Sequence, residues 1–424
     1  SDGSPLVFDV SADPRYVLLL DGRVLSRGPH KGFVERWYYQ SYAVEGLAAG
    51  THVLEAVVFH LGKNGPPSIL TSGRGGFVLK AEGAYDAQLT TGRADWRAAR
   101  VPGLSYGGVT DPDAMTGREN IVHGTGLLDA HDLAWQRTFV VKGPVRANDY
   151  GTRAKGWALF PTERQDEIER PCRPGRVRAA QPLFDETNAV YTAADAASAW
   201  VARFNRLLAD GERVEIPVHT SVRFLWDLDD YYCAFPDLGT SGGADAQIRW
   251  RWAESLYAPF AETGRTGELY LHKGHRDAFL GKRVLRAMHD TFRPDGRAAA
   301  SFTTPWWKCG RWIEIAVRTG DAPLAFTRLG LVETRYPLAV RSSFACDDTS
   351  IDGICRLAVR GMENCAHEMF MDCPYFEQQM YAGDTRVEML ILNTLSGDDR
   401  LLRYGIGIFD ASRRGNGLIR MNFP

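Results

Sequence analysis

The segment Met371-Asp372-Cys373-Pro374-Tyr375-Phe376-Glu377-Gln378-Gln379-Met380-Tyr381-Ala382-Gly383-Asp384-Thr385-Arg386 carries three carboxylates, Asp372, Glu377 and Asp384, among aromatic and apolar neighbours. A carboxylic acid flanked by Phe376, Met380 and Tyr381 is open to partial desolvation, which raises its pKa and suits it to general acid catalysis. The plainer alternative is that Asp372 and Asp384 cap neighbouring helices and Glu377 is a solvated loop charge. Separations of five and seven residues do not fall on one helix face. If the three groups converge, the elements on either side must bring them together.

Those elements read as helices. Ile351, Ile354, Cys355, Ala358, Met362, Cys365, Ala366 and Met369 recur at steps of three and four, one face of a helix. Asp347 or Asp348 is placed to cap it and Pro374 to end it. Asp384 to Leu395, stopped by Gly397, and Asp399 to Phe409 read as two further helices. Upstream the pattern is β. Arg15 to Leu20 runs through Asp21-Gly22 into Arg23-Val24-Leu25, a hairpin signal. His52 to Phe59, Trp135 to Val141, Val222 to Leu228, Ala246 to Ala253 and Arg311 to Arg318 are further strand-like runs. Pro161 to Pro174 reads as a connector, and Ala194 to Leu208 as the one stretch before residue 342 that suits a longer helix. The predicted architecture is a multidomain β + α chain: a β-sandwich with connector over residues 1–170, a second β-sandwich over 171–342, and the start of a helical domain over 343–424.

The catalytic segment resembles a known family. Asp372-Cys373-Pro374, a Glu five residues after the Asp, and Gly383-Asp384 twelve residues after it are similar to the catalytic loop of bacterial α-L-rhamnosidases, glycoside hydrolase family 78. Phe344 to Asp348 resembles the opening of that family's six-hairpin (α/α)6 barrel. Phe224-Leu225-Trp226-Asp227-Leu228, Gly242-Gly243 and Trp252-Ala253-Glu254 resemble the sandwich before it, and the aromatic, Gly-rich first third resembles its accessory carbohydrate-binding-like sandwich. The resemblance implies that Glu377 is the general acid and that Asp372, Asp384, Tyr381 and Phe376 line the substrate site. It also implies an inverting mechanism whose base comes from a later barrel loop, beyond Pro424, so the 1–424 chain is expected to be inactive alone. The family loop has Arg where this chain has Phe376 and Gln378, and Trp where it has Tyr381, which marks a divergent branch. The expected partner is an oligosaccharide or glycoside, with no cofactor and no metal. The rival class is a non-catalytic carbohydrate-binding protein with a degenerate barrel site.

Composition sets the outer limits. Fifty Lys+Arg against 52 Asp+Glu leave a net charge of −2, with no broad field for nucleic acid or anionic membrane. No apolar run reaches the length of a membrane helix, and the first residues show no secretion signal, so the compartment stays open. Seven Cys without a Cys-x-x-Cys pair indicate neither a zinc site nor a disulfide framework. Twenty Phe, 16 Tyr and 11 Trp suit sugar stacking as well as cores. Trp306-Trp307 and Trp37-Tyr38-Tyr39 are expected to be mainly core, one of each adjacent pair facing inward if they lie on strands. Asp227-Leu228-Asp229-Asp230 with Asp237 is expected to be a solvated strand end rather than a Ca²⁺ site. His272-Lys273-Gly274-His275 reads as loop, and Ser72-Gly73-Arg74-Gly75-Gly76 and Ser241-Gly242-Gly243 as turns. His367 and Glu368 are either neighbours that support the catalytic loop or ordinary buried or surface residues.

Overall fold

The longest element is Ser221–Gly242, a 22-residue strand. Its first half pairs with Arg176–Gln181 and its second half with Leu324–Arg335, while Lys308–Arg318 runs along its other edge. The change of partner falls at a bulge between Asp227 and Tyr232, where Asp229 takes a left-handed φ of 61°; bulges bend a strand this way. In this computed structural model the described residues are 3–33, 35–66, 68–69, 75–110, 115, 117–128, 133–140, 145–146, 158–184, 189–263 and 269–424.

Around this strand lies an 11-stranded sheet, ordered Ile168–Cys172, Leu324–Arg335, Ser221–Gly242, Lys308–Arg318, Gln247–Ala253, Met288–Pro294, Arg118–Gly124 and Leu104–Val109, with three short strands beside this path. Both faces are covered, so Val222, Phe224, Leu225 and Trp226 are all fully buried. The helix Ala199–Asp210 covers one face through Phe204, Leu207 and Leu208. Its Phe204 ring stacks on Phe224 at 3.8 Å between centroids. On the other face Leu225 joins Tyr191, Leu256, Phe279 and Trp312.

Among the described residues the N-terminal part holds two smaller sheets and a two-stranded one, Arg97–Ala98 with Gln136–Arg137. Leu6–Asp13 pairs with Trp37–Val44 and Gly76–Ala81, and Arg15–Leu20 with Arg23–Gly28 and Leu54–Phe59. They share a core of Phe8, Val10, Tyr16, Leu18 and Leu79. The predicted hairpin turn is present: Asp21 and Gly22 both have positive φ, 50° and 74°, the conformation that matches strand twist.

Several expectations are corrected. Leu104–Val109 and Arg118–Gly124 fall inside the first predicted unit, 1–170, yet they belong to the large sheet. Polar contacts seat them there: Asn120 donates through N and Nδ2 to Asp290, at 2.9 and 2.7 Å, and the Thr291 hydroxyl donates to Glu119 at 2.6 Å. The expected connector Pro161 to Pro174 starts on the last residue of the strand Ala158–Pro161 and contains the strand Ile168–Cys172; Pro171 is tolerated because that strand lies at the sheet edge. Of Trp135 to Val141 only Gln136–Arg137 is strand, and Val141 lies outside the described residues.

The C-terminal helices are Ser350–Cys365, Ala382–Ser396 and Arg400–Ala411. The first ends at Cys365, nine residues before Pro374. Ala366 leaves the helical region and pairs with Phe370 in an isolated bridge, so Ala366 and Met369 are buried in a turn. Thr349 occupies the N-cap position, while the Asp348 carboxylate accepts from the Ser350 N–H at 2.9 Å. Met369, Phe370, Met371, Tyr375, Leu401 and Ile408 share one continuous core with Trp250, Trp306 and Trp307. Ile354, Leu357, Leu390 and Ile406 are exposed on the helices. Among the described residues, no helix is long and apolar enough to cross a membrane. The fold is mainly β-sheet with some helices.

Candidate active site

The loop after the first of these helices is closed on itself. The Asp372 N–H donates to the Gln379 carbonyl at 3.0 Å, and the Gln378 N–H to the Cys373 carbonyl at 3.0 Å. Backbone bonds from Phe423 to Met380 and from Ala382 to Met421 stitch the following residues to the end of the chain. Closure brings Asp372 and Glu377 together where helical spacing would not.

Tyr375 and Gln378, both buried, and the half-buried Phe376 fix the loop to its surroundings. The Tyr375 hydroxyl donates to the Trp252 carbonyl at 3.0 Å and accepts from the Met288 N–H at 3.3 Å. Gln378 holds a left-handed φ of 52°, a costly conformation for a residue with a side chain. Its amide is engaged at both ends: Oε1 accepts from Trp306 Nε1 at 2.8 Å and from the Ser68 hydroxyl at 3.2 Å, and Nε2 donates to the Pro374 carbonyl at 3.0 Å. Phe376 packs edge-on against Tyr375 at 4.8 Å, and its carbonyl accepts from the Met115 N–H.

Asp372, Cys373 and Glu377 each present a donor atom within 4.8 Å of the other two, all half-buried. Burial raises the Asp372 pKa, bonds from Cys373 oppose that, and the charges of Glu377 and Asp384 add to it. The Cys373 thiol is pushed up to about 12 by burial and by the Asp372 charge, so it remains a neutral donor to that carboxylate. Donors this close can chelate a cation in principle. Here two of the three are biased toward their protonated forms and the thiol already serves Asp372, which suits proton chemistry better. Tyr381 bonds to Glu377, and this bond, ahead of burial, pushes its own pKa up to about 12, so the hydroxyl donates.

Asp384 is exposed in the first turn of Ala382–Ser396, where a negative charge also suits the helix N-terminus. Its charge nevertheless acts on Asp372. One turn further, Glu388 lies on the buried face with Thr385, Leu392 and Ser396. Burial, then the charges of Asp384 and Asp372, pushes Glu388 up to about 8. Glu388 does not stand out in the sequence motif, and Cys373 does so only as part of Asp372-Cys373-Pro374. The signal for Glu388 was available, since it follows Asp384 by four residues on a predicted helix.

Residues 340–424 match the bacterial alpha-L-rhamnosidase 6 hairpin glycosidase domain. The whole chain has the fold of solved rhamnosidases. A GH78 family rhamnosidase of Bacillus sp. GL1 aligns with a TM-score of 0.67 and 14% identity, over 97% of this chain and 60% of that one. The Streptomyces avermitilis α-L-rhamnosidase complexed with L-rhamnose gives 0.59 and 15%, over 99% and 36%. The α-L-rhamnosidase from Dictyoglumus thermophilum gives 0.58 and 14%, over 100% and 41%. At these identities the likeness is one of fold. The chain spans 60% or less of the length of these structures. No curated protein sequence matches it.

The other candidates lie elsewhere. Gln378, which replaces a family Arg, is buried in the loop's anchor and does not open onto the carboxylates. His367 is fully buried, bonded to Glu167 and the Asn364 carbonyl and stacked on Trp307 at 4.1 Å. Glu368 accepts from Arg15 at 2.7 Å and from the Lys31 N–H at 3.0 Å, and its carbonyl accepts from Arg164, tying the helical part to the N-terminal part. Trp306 and Trp307 are core, but they stack on one another at 5.6 Å in a turn, so strand alternation does not apply. Trp37 is core, its Nε1 donating to the Ala12 carbonyl at 2.9 Å, and Tyr38 and Tyr39 are half-buried. Asp227 is not a solvated strand end; it is fully buried between Arg178 and Arg311. Asp237 pairs with Arg328 and Asp230 with Arg360, so these carboxylates do not converge. His272 to His275 is loop, and Gly242 and Gly243 turn with φ of 72° and 77°. Of the Ser72 to Gly76 stretch, Ser72, Gly73 and Arg74 lie outside the described residues. All seven cysteines are free.

Proposed function

We propose that this chain is part of a glycosidase of the α-L-rhamnosidase type, in which Glu377 protonates the departing glycosidic oxygen. The observation that carries this reading is the closed loop that sets Glu377 within 4.8 Å of Asp372, inside the segment matched by a glycosidase domain. Tyr381 orients the acid through its hydroxyl. Asp372, Asp384, Tyr381 and Phe376 face the sugar, whose hydroxyls the two aspartates hold. We read the architecture as two sandwiches over 1–170 and 171–342, with two strands exchanged to the large sheet, followed by the first helices of an (α/α)6 barrel.

An inverting displacement needs a base about 6.5–9.5 Å from the acid, with room for water between. Asp372 lies too close for that role, and we assign the base to a carboxylate of a later barrel loop. A carboxylate pair nearer 5–5.5 Å suits a retaining displacement, and the anomer released first separates the two. The test is hydrolysis of p-nitrophenyl α-L-rhamnopyranoside by the full-length protein, followed by proton NMR. Early β-anomer and loss of activity in Glu377→Gln are expected. Early α-anomer would make Asp372 a nucleophile. No hydrolysis across a panel of aryl glycosides would restore the non-catalytic carbohydrate-binding alternative, which the match to a glycosidase domain does not favour.

A further inference from the structure

Arg15 begins the strand Arg15–Leu20 of the N-terminal part, yet its side chain lies between the two ends of the carboxylate loop. Its Nη1 donates to Glu368 at 2.7 Å, four residues before Asp372. The same guanidinium lies over the Trp306 ring, 4.7 Å from the centroid. Trp306 in turn donates to Gln378, the residue after Glu377. One cation therefore touches the entry of the loop directly and its exit through a single indole. A bond from Nη1 to the Pro29 carbonyl at 2.9 Å fixes the guanidinium itself.

The entry leaves little slack. Glu368 is buried; its N–H donates to Glu167 at 2.8 Å, its carbonyl accepts from Arg164, and its carboxylate accepts from Arg15 and from the Lys31 N–H. The turn around it is closed by the bridge between Ala366 and Phe370 and by the Met371 N–H, which donates to the Cys365 carbonyl at 2.8 Å. Asp372 follows at once. At the exit the left-handed backbone of Gln378 is held through its bonded amide.

We propose that Arg15 is a positioning residue: by joining Glu368 to Trp306 it fixes the spacing of Asp372 and Glu377. This rests on the reading of Glu377 as the acid. Arginine suits both contacts, because its planar guanidinium donates to a carboxylate at its edge while a ring lies against its face. Lysine can pair with Glu368 but has no flat face to lay on the indole. A misplacement of about 1 Å at reacting groups costs up to about a hundredfold in rate, so a loosened loop should be read in kcat.

The test compares wild type, Arg15→Lys and Arg15→Met as full-length proteins, by steady-state hydrolysis of p-nitrophenyl α-L-rhamnopyranoside and by amide hydrogen exchange over 366–380. Arg15→Lys should keep an unfolding midpoint close to wild type, because the ion pair survives. Its kcat should nevertheless fall about tenfold or more at unchanged KM. The amides of Asp372 and Gln378 should exchange about tenfold faster, while those of Lys308–Arg318 keep wild-type protection. Arg15→Met should show the same losses with a lower midpoint; if it does not fold, the Lys variant alone decides. Either wild-type kcat or wild-type loop exchange in Arg15→Lys overturns the proposal and leaves Arg15 a counter-ion of Glu368. A wild type that hydrolyses no aryl glycoside overturns the glycosidase reading, and the exchange measurement still decides whether Arg15 ties the two ends of the loop.

Discussion

The indole of Trp306 donates to the side-chain amide of Gln378 at 2.8 Å, both groups buried, and thereby holds the loop of Asp372 and Glu377 to the turn that precedes the strand Lys308–Arg318. The same amide bridges to Ser68 and Pro374, so one residue with a left-handed backbone ties three parts of the molecule. Gln378→Leu should lose about 1–3 kcal/mol by stranding these partners. Gln378→Arg, which restores the family residue, should also destabilise, because it buries a charge without a counter-ion. Denaturant midpoints measured on both variants check this, and a stable, more active Arg variant would contradict the anchoring role.

Tyr381 should matter through its hydroxyl alone. Tyr381→Phe keeps the ring and removes the bond to Glu377. A hydrogen bond to a charged group contributes about 1.5–3 kcal/mol, so kcat should fall by about tenfold or more with KM little changed. Steady-state kinetics on an aryl glycoside give the answer, and an unchanged kcat would remove Tyr381 from the site.

Glu388 leaves a signature in the pH dependence of stability. Its folded pKa of about 8 lies above its ordinary value of 4.5. Below the ordinary value both states hold the proton and the group has no effect. Between the two values the folded state keeps a proton that the unfolded state has released, so stability falls as pH rises, by up to about 1.4 kcal/mol per pH unit. Above about 8 the penalty is constant. Glu388→Gln should therefore gain stability over wild type across this window and not below it, as thermal melts from about pH 4 to about pH 9 will show.

Glu368 should behave as a structural residue. Glu368→Gln leaves Arg15 without its buried counter-ion, and breaking such a pair costs about 3–5 kcal/mol. The expected outcome is a lower unfolding midpoint with an unchanged KM in whatever folds. A raised KM at unchanged stability would place Glu368 in the substrate site instead.

The carboxylate loop is more legible in the sequence than the contacts that hold it. Asp372 and Glu377 stand out by their spacing, and the structure brings them within 4.8 Å; the three C-terminal helices stand out because their apolar periodicity is strong. The anchors were not legible. Nothing in the local sequence says that Gln378 turns inward to meet Trp306, since their contact spans 72 residues. Pro374 looked like a helix terminator because the apolar recurrence continues to Met369; the turn at Ala366 buries those residues without helical geometry. Asp227 looked solvated because its neighbours are acidic, whereas its two arginines arrive from distant strands.

The parallel seam between Arg118–Gly124 and Met288–Pro294 bears on how the chain can be divided. A fragment beginning near residue 171 would carry Met288–Pro294 as a bare edge, with a row of unpaired amides and carbonyls and the Asp290 carboxylate deprived of Asn120. Such edges recruit foreign strands. The N-terminal third therefore serves as a guard against self-association as much as an appendage, and it will not transplant as an independent module.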